Sequence, residues 1–527
     1  VIRQSKIRSL ADIPADLNRC VTAADIRISS DAQQDMILLA CPKNQAALIV
    51  SETLRDTNVA SLRYVREKAA AAGYTVTEYR AEAGLIPLLY RHFATHSQDR
   101  AGYVVATAAQ QRFDDLIVRA ADNKASDIHI VLRESYAEIR FRINGELETI
   151  TQWTPEQASE MSACAYNVLA GIRDVTWDPS RRQDANIERV IDGRTFRLRY
   201  AHAPLYPTGA HIVLRVLAAG QRYQFAESLT QLGYTEAQQL AIENMVAEPS
   251  GIVVISGETG SGKSTTIANL MHMIVQDGGL SILTVEDPPE YEVPGVMQSP
   301  VIHSADDRVK GLNPYASAIR SAMRRDPDVL MIGEIRDIDT TVLAAQCAQS
   351  GHPVLTTVHA SRALDIIARL EGMGAALANN SVNRALLCAP RFIAGLIHQV
   401  LVPVLCQHCS LPFYQEVEAG RVEQRLGDRV HAAVNPDGVR VRGSGCDHCR
   451  GGVTGRTVCA EVITPDAKLR ELLLERRDQA AFDYWLTAGG YSIWSHALDK
   501  LQAGVVSPRD LEGALGRIRR EASDGCH

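Results

Sequence analysis

The stretch with the plainest chemistry is Gly251–Ile274, GIVVISGETGSGKSTTIANLMHMI. Gly257 and Gly262-Lys263-Ser264 fit the spacing G-x-x-x-x-G-K-[ST] of a phosphate-binding loop. Gly257, Glu258, Thr259, Gly260, Ser261, Gly262, Lys263, Ser264 and Thr265 are therefore the candidate nucleotide contacts. The glycines let the backbone curl around phosphate oxygens with no Cβ in the way. Lys263 would pair with the β- and γ-phosphates, and the Ser264 hydroxyl would hold Mg²⁺. This is preparation for ATP carrying Mg²⁺. A glycine-rich turn ahead of a helix is the plainer reading, but the flanks favour the loop. Ile252–Ser256 is a β-branched run suited to a buried parallel strand, and the sequence turns helix-like from Lys263. A loop placed there meets a helix N-terminus, where outward N–H groups and the helix dipole favour anions.

Three further strand candidates end in polar residues. Leu280–Val285 runs into Glu286-Asp287-Pro288-Pro289-Glu290, Asp328–Ile332 into Gly333-Glu334, and Pro353–Val358 into His359. In doubly wound α/β sheets, ligands sit outside the carboxyl ends of the strands. Glu286, Asp287, Glu334 and His359 are thus expected at the same edge as the loop. Mg²⁺ keeps several waters and draws carboxylates to them. Asp328 begins its strand and is poorly placed for that. Glu334, one step past its strand, is placed to orient or deprotonate an attacking water. Glu286 and Asp287 are candidates for the metal's waters or for assisting the base. His359 is a candidate to sense the γ-phosphate or donate to it. Taken singly, an acidic turn around two prolines is only a solvated turn, and a lone histidine is structural. The shared strand-end position is what points to function.

A second constellation lies toward the C-terminus. Cys406-Gln407-His408-Cys409 and Cys446-Asp447-His448-Cys449 are two C-x-x-C pairs. Each pair suits two thiolates on one tetrahedral Zn²⁺. Cys406, Cys409, Cys446 and Cys449 are expected to hold one structural zinc, with His408 and His448 as substitute ligands. The gap between pairs is long for a zinc ribbon and implies an inserted loop that includes Glu416–Asn435. Cys347 and Cys459 have no partner pattern and read as core thiols.

Composition sets the frame. The 527 residues are 46% hydrophobic and 22% charged, an ordinary globular balance with room for three or four domains. A net charge of −7 argues against nucleic acid as the main partner. Eleven cysteines, with no secretory signal in the opening VIRQSKIRSLADIP, point to a reducing compartment. No run of 18 apolar residues exists. The nearest, Ala385–Cys406, is broken by Pro390, Arg391, His398 and Pro403, so any membrane association is expected to be peripheral.

Ahead of the loop, residues 1–105 read as a small α/β module without assignable chemistry. Strands are expected at Met36–Cys41, Ala46–Val50 and Tyr74–Tyr79, and a helix at Leu62–Ala72. The segment 110–217 reads as an α+β domain. Ala137–Ile143 alternates with period two and meets Glu146–Thr151 across Asn144-Gly145, a strong hairpin signal. A helix over Pro155–Gly171 follows, then a hairpin of Ile187–Ile191 and Arg194–Ala201 around Asp192-Gly193, and a strand at His211–Leu217. This domain carries Arg140, Arg142, Arg197, Arg199 and Arg215. Alternate arginines line the solvated face of a sheet, unless some reach a phosphate. Ala218–Ser228 reads as a linker. Thr235 and Gln238 make a capping box for a helix to about Ala247. The chain closes on a helical stretch over Pro508–Ala522.

In combination these motifs resemble the type II secretion and type IV pilus assembly ATPases, a branch of the secretion ATPase superfamily. GETGSGKSTT is similar to their phosphate loop, TVEDPPEY at Thr284–Tyr291 to their Asp box, and RRDPDVLMIGEIRD at Arg324–Asp337 to their second nucleotide motif. SGHPVLTTVHA at Ser350–Ala360 is similar to their His box, and the stretch from Ser126 to Leu147 to the start of their second N-terminal domain. CDHCRGGVTGRTVCAEV resembles their metal module. The likeness covers roughly residues 110–520.

The resemblance implies a multi-domain α/β chain. A P-loop, RecA-like motor at 235–400 follows a linker at 218–234, an arginine-rich PAS-like α+β domain at 110–217 and the module at 1–105. A tetracysteine zinc module at 401–465 and a helical segment at 466–527 complete the chain. The resemblance further implies a homohexameric ATPase, peripheral on the cytoplasmic face of the inner membrane. It would act on pilin-like subunits through a polytopic platform protein, with no nucleic acid. Arg199 in RLRYA and Arg215 in VLRVL match arginines that reach the nucleotide in the family. Gln399-Val400-Leu401 stands where the family has Gln-Arg-Leu, and Gln183-Asp184-Ala185-Asn186 where it has Gln-Asp-Gly-Arg. Those departures suggest a divergent branch, such as a conjugative thin pilus. The cysteine module favours assembly over retraction ATPases, which lack it. A conjugative DNA-transfer ATPase and a non-hydrolysing nucleotide-gated scaffold are the alternatives. The acidic balance weighs against the first, and Glu334 against the second.

Overall fold

The computed structural model describes residues 6–7, 19–21, 26, 32, 35–41, 45–52, 59–81, 85–86, 89, 103–170, 176–191, 193–219, 224–302, 313–374 and 382–519. Two compact units divide the chain. One comprises residues 1–117, 154–169 and 175–177, the other 118–153, 170–174 and 178–527. The division cuts the segment 110–217. Its strands stay together in the second unit, and Thr154–Leu169 falls in the first.

The first unit holds a five-stranded sheet in the order Lys6–Ile7, Thr75–Ala81, Gln45–Ser51, Met36–Cys41, Arg19–Cys20. Its central strands are apolar on both faces. Ile37, Leu39 and Ile49 enter one buried cluster, and Met36, Leu38, Leu48 and Val50 the other. A strand buried on both sides reads as a continuous apolar run, which is what MILLAC and ALIV are. The helix expected over Pro155–Gly171 is α-helical from Pro155 to Cys164, with Thr154 as a full capping box, and widens to a π-turn over Ala165–Leu169. Gly171 lies outside the described residues.

In the second unit the arginine-bearing strands form an antiparallel sheet. Its order is Glu146–Trp153, Ala137–Ile143, Asp127–Leu132, Ala210–Ala219, Arg194–Pro204, Gln183–Ile191. Period-two alternation buries Ile128, Ile130, Ile139, Phe141, Leu198, Tyr200, Ile212 and Leu214. The intervening positions carry His129, Arg140, Arg142, Arg199, His211 and Arg215. The strand that ends at Ala219 takes the first residues of the expected linker. Residues 220–223 and Asp192 lie outside the described residues.

The phosphate-loop strand, Gly251–Ser256, sits inside a seven-stranded sheet. The order is Met297–Pro300, Ile282–Glu286, Val329–Ile332, Pro353–Val358, Gly251–Ser256, Ile393–Leu405, Val453–Ile463. All neighbours are parallel except the last pair. Apolar clusters cover both faces. One gathers Ile252, Val254, Leu283, Leu330 and Val354, and the other Val253, Ile255, Ile267, Leu270 and Leu355.

This sheet corrects the expected boundary at 400/401. Ile393–Leu405 is one continuous strand across it, and Val453–Ile463 pairs antiparallel with it as the sheet edge. The sheet is thus closed by residues beyond the first cysteine pair. Helices Ala467–Leu474 and Asp478–Thr487 join the same body, adding Leu469, Leu472, Leu473, Ala481 and Phe482 to its core. The expected inserted loop is folded as well. Helices Phe413–Glu418 and Gln424–Ala433 share a third core with the C-terminal helices Ile493–Gln502 and Pro508–Leu515. The last helix stops at Leu515, short of the expected Ala522, which lies outside the described residues. No helix among the described residues is long and apolar enough to cross a membrane.

Candidate nucleotide site and metal centre

The loop leaves strand Gly251–Ser256 and enters helix Lys263–Asp277 at Gly262. Gly262 is the N-cap with φ 85°, a left-handed conformation that glycine adopts without strain. It offers no side-chain cap, so the first N–H groups of the helix stay available to an anion. At Gly257 the reason for glycine is proximity. A Cβ there would lie 2.4 Å from the Gln399 carbonyl oxygen and 2.4 Å from Ser261 Oγ.

Lys263 lies folded onto its own loop. Its Nζ donates to the carbonyls of Gly257 at 2.7 Å and Glu258 at 3.0 Å. Burial pushes its pKa down, against the pull of Glu334, Glu290 and Glu258. Thr265 pairs its hydroxyl with Tyr291 at 2.8 Å.

The strand ends converge on this loop. Glu334 follows Val329–Ile332 and is bracketed by the side chains of Arg336 and His359. Arg336 Nε reaches its Oε2 at 2.8 Å, and His359 Nε2 faces its Oε1 at 3.2 Å. His359 in turn turns Nδ1 to the Gly257 carbonyl at 3.0 Å. One imidazole therefore bridges the loop backbone and the carboxylate. Glu286 ends its strand with its carboxylate buried. Its Oε1 accepts from Thr284 Oγ1 at 2.6 Å and Gln298 Nε2 at 3.0 Å. Burial raises its pKa, against these two hydrogen bonds. Gln298 also donates to the Tyr291 carbonyl at 2.8 Å, so the acidic turn is folded back toward Thr265. Asp287 opens that turn. Asp328 is at the opposite ends of the strands, accepting the Ser281 N–H at 2.7 Å.

Arg199 and Arg215 stand apart from this cluster. They face each other across neighbouring strands of the six-stranded sheet. Arg215 Nε pairs with Asp127 Oδ1 at 3.1 Å. Among the described residues, neither arginine makes a hydrogen bond or ion pair to residues 257–265.

Three contacts to the site escaped the sequence reading. Gln399, fully buried, donates to the Ser261 carbonyl at 2.7 Å and accepts from Tyr234 at 2.6 Å and Thr266 at 3.0 Å. In the sequence it was only the matching first residue of a motif that departs at Val400, because it reaches the loop from a strand 138 positions away in the chain. Arg456, on the edge strand, donates to the Gly260 carbonyl at 3.4 Å and lies within electrostatic reach of Asp127. Tyr315 touches the Glu334 backbone.

The four cysteines form one cluster. Cys406 follows strand Ile393–Leu405, and Cys449 precedes strand Val453–Ile463, so the antiparallel edge pair carries the metal module at its end. Their Sγ atoms all lie within 4.8 Å of one another. Cys406–Cys446 and Cys446–Cys449 are 3.7 Å apart and Cys409–Cys449 is 3.5 Å. Four thiolates about 2.3 Å from a tetrahedral centre are about 3.8 Å apart, so the cluster fits zinc. His408 and His448 are not in this set. Their rings stack on each other, centroids 4.2 Å apart, which corrects their reading as substitute ligands.

Comparison with known proteins decides what this assembly belongs to. The family model described as "Type II/IV secretion system protein" matches residues 106–513. The chain belongs to this family. It is 33% identical over 394 residues to the putative type II secretion system protein E of Escherichia coli K12, covering 74% of each chain. It is 31% identical over 398 residues to the type II secretion system ATPase E of Vibrio cholerae, covering 75% of this chain and 73% of that one. Among solved structures, the Legionella pneumophila ATPase DotB aligns with a TM-score of 0.52 at 23% identity, over 76% of this chain and 94% of that one. The pilus retraction motor PilT with bound ADP aligns at 0.51 and 23%, over 76% and 96%. These two establish the fold, a multi-domain α/β chain. Membership of the secretion ATPases makes the chain an ATP-hydrolysing motor for secretion or pilus assembly. The family as a whole implies ATP and Mg²⁺.

Proposed function

We propose that this chain hydrolyses Mg²⁺-bound ATP at the loop Gly257–Thr265, with Glu334 as general base, to drive an assembly-type secretion or pilus system. The observation that carries this reading is the Glu334 carboxylate, held by Arg336 and by the same His359 that touches the loop. Bound Mg²⁺ neutralises charge on the β- and γ-phosphates. The chain's own residues do the rest. Lys263 exchanges the Gly257 and Glu258 carbonyls for phosphate oxygens. Ser264 offers its hydroxyl to the metal, and Glu286 and Asp287 face its waters. Glu334 takes the proton of the attacking water, and His359 passes the state of the γ-phosphate to it. Arg199 and Arg215 supply positive charge when their sheet closes on the nucleotide. Zn²⁺ in Cys406, Cys409, Cys446 and Cys449 fixes the end of the edge strands.

The working form on this reading is a homohexamer, peripheral on the cytoplasmic face of the inner membrane. It acts through a polytopic platform protein on pilin-like subunits. The support is the likeness to the type II secretion proteins of Escherichia coli and Vibrio cholerae, each above 30% identity. On this reading 1–105 and 110–217 remain domains, the linker begins after the strand that ends at Ala219, and the motor extends through the edge strands. A DNA-transfer motor is separated by measuring phosphate release with and without DNA. Mg²⁺-dependent release indifferent to DNA is expected. Release that requires DNA would overturn the assembly reading.

A further inference from the structure

Glu334 is held at its carboxylate by two side chains, but its backbone is held by a third. Tyr315 lies in the first turn of helix Pro314–Ala322, which Asn313 caps. Its ring packs against the core on one face of the motor sheet. Its hydroxyl donates to the Val285 carbonyl at 2.8 Å and accepts the Glu334 N–H at 3.2 Å. The Gly333 N–H reaches the same Val285 carbonyl at 2.9 Å. On the other side, Thr357 Oγ1 donates to the Gly333 carbonyl at 2.7 Å, and the Ile335 N–H reaches the Thr357 carbonyl at 2.9 Å. The turn Gly333–Ile335 is thus fixed between the two neighbouring strands, and the phenol is the partner of the residue that bears the base.

The ladder explains why a side chain is needed there. Pairing between Ile282–Glu286 and Val329–Ile332 ends at Val285 and Ile332. Glu334 is past that end, so no strand carbonyl meets its N–H. The phenol fills the place of the missing ladder rung. The fit is close. A Cβ on Gly333 would come within 2.8 Å of the Tyr315 hydroxyl. Val285 also adjoins Glu286 and Asp287, so one hydroxyl ties the acidic turn to the turn carrying Glu334.

We propose that Tyr315 is a positioning residue for ATP hydrolysis. Its hydroxyl fixes the peptide of Glu334 and so sets where the carboxylate stands over the phosphate loop. The inference rests on Glu334 being the base. A reacting group displaced by about 1 Å can cost about 10²-fold in rate, so a lost anchor beside the base is read in turnover. Nucleotide affinity, by contrast, comes from the loop and Lys263, which Tyr315 does not touch.

The test uses the full chain and four forms: wild type, Tyr315→Phe, Glu334→Gln and the double variant. Tyr315→Phe keeps the ring and removes only the hydroxyl. Expected for Tyr315→Phe is a fall in kcat of about tenfold, with KM and nucleotide Kd within about twofold of wild type. In single-turnover measurements, the same change on the Glu334→Gln background should add little further loss, because the hydroxyl acts through the Glu334 carboxylate. A Tyr315→Phe variant with wild-type turnover, while Glu334→Gln is inactive, overturns this inference alone. A loss of kcat and affinity together, with an equal loss on both backgrounds, also overturns it, since that is a structural defect. A fully active Glu334→Gln overturns the base reading, and this inference with it.

Discussion

A phosphate loop alone hydrolyses slowly, because its lysine does not balance all the charge that builds on the γ-phosphate, and an arginine supplied from outside speeds hydrolysis by about 10³–10⁵. Arg336 is close by, but it is spent on Glu334. Arg215 is held by Asp127, and Arg456, which reaches the Gly260 carbonyl, lies within electrostatic reach of the same Asp127. The arginine sheet and the loop therefore share an electrostatic neighbour. Replacing Arg199 or Arg215 by Ala is expected to leave folding and ATP affinity near normal and to lower turnover by about 10³-fold. Unchanged turnover in both would leave them as solvated charges on a half-exposed sheet. The loop residues, Glu286, Glu334 and His359 were legible because strand ends in a parallel sheet meet at one edge. Gln399, Tyr315 and Arg456 were not, because each reaches the site from an element outside the loop and the three strand ends.

At the scale of elements, the antiparallel pair Ile393–Leu405 and Val453–Ile463 shows how an apolar run misleads. IAGLIHQVLVPVL carries two interruptions that exclude a membrane span, but its buried pattern is that of a strand inside a sheet. Its partner lies about 60 residues on, beyond both cysteine pairs, so no local signal joins them. The cysteine cluster closes that long connection. Its insertion packs Phe413, Leu426 and Val430 against Trp494, Leu501 and Leu511 of the C-terminal helices. One zinc per chain is expected by metal analysis of the purified protein. Cys446→Ser should release the metal and lower the melting temperature of the C-terminal core, since a structural zinc site contributes folding energy outright. Nucleotide binding at the loop should persist. A metal-free preparation with full stability would remove zinc from the account.

Within the second unit, the motor sheet carries all of these parts. Strand Gly251–Ser256 carries the loop, the strands on one side of it carry the acids and those on the other are the pair that ends in cysteines. The fold class was legible from strands alternating with helical stretches, whereas the boundaries were not, because the chain leaves the sheet for the metal module and returns. Hydrolysis can move a second body only if the loop, the base and the closing arginines report on one γ-phosphate. That claim reduces to Glu334, the one group the account gives a proton to handle. The decisive measurement is steady-state phosphate release from ATP by the full chain with Glu334→Gln, alongside equilibrium nucleotide binding. The account predicts binding within about twofold of wild type and turnover lower by about 10²–10⁴-fold. Wild-type turnover in Glu334→Gln would contradict it.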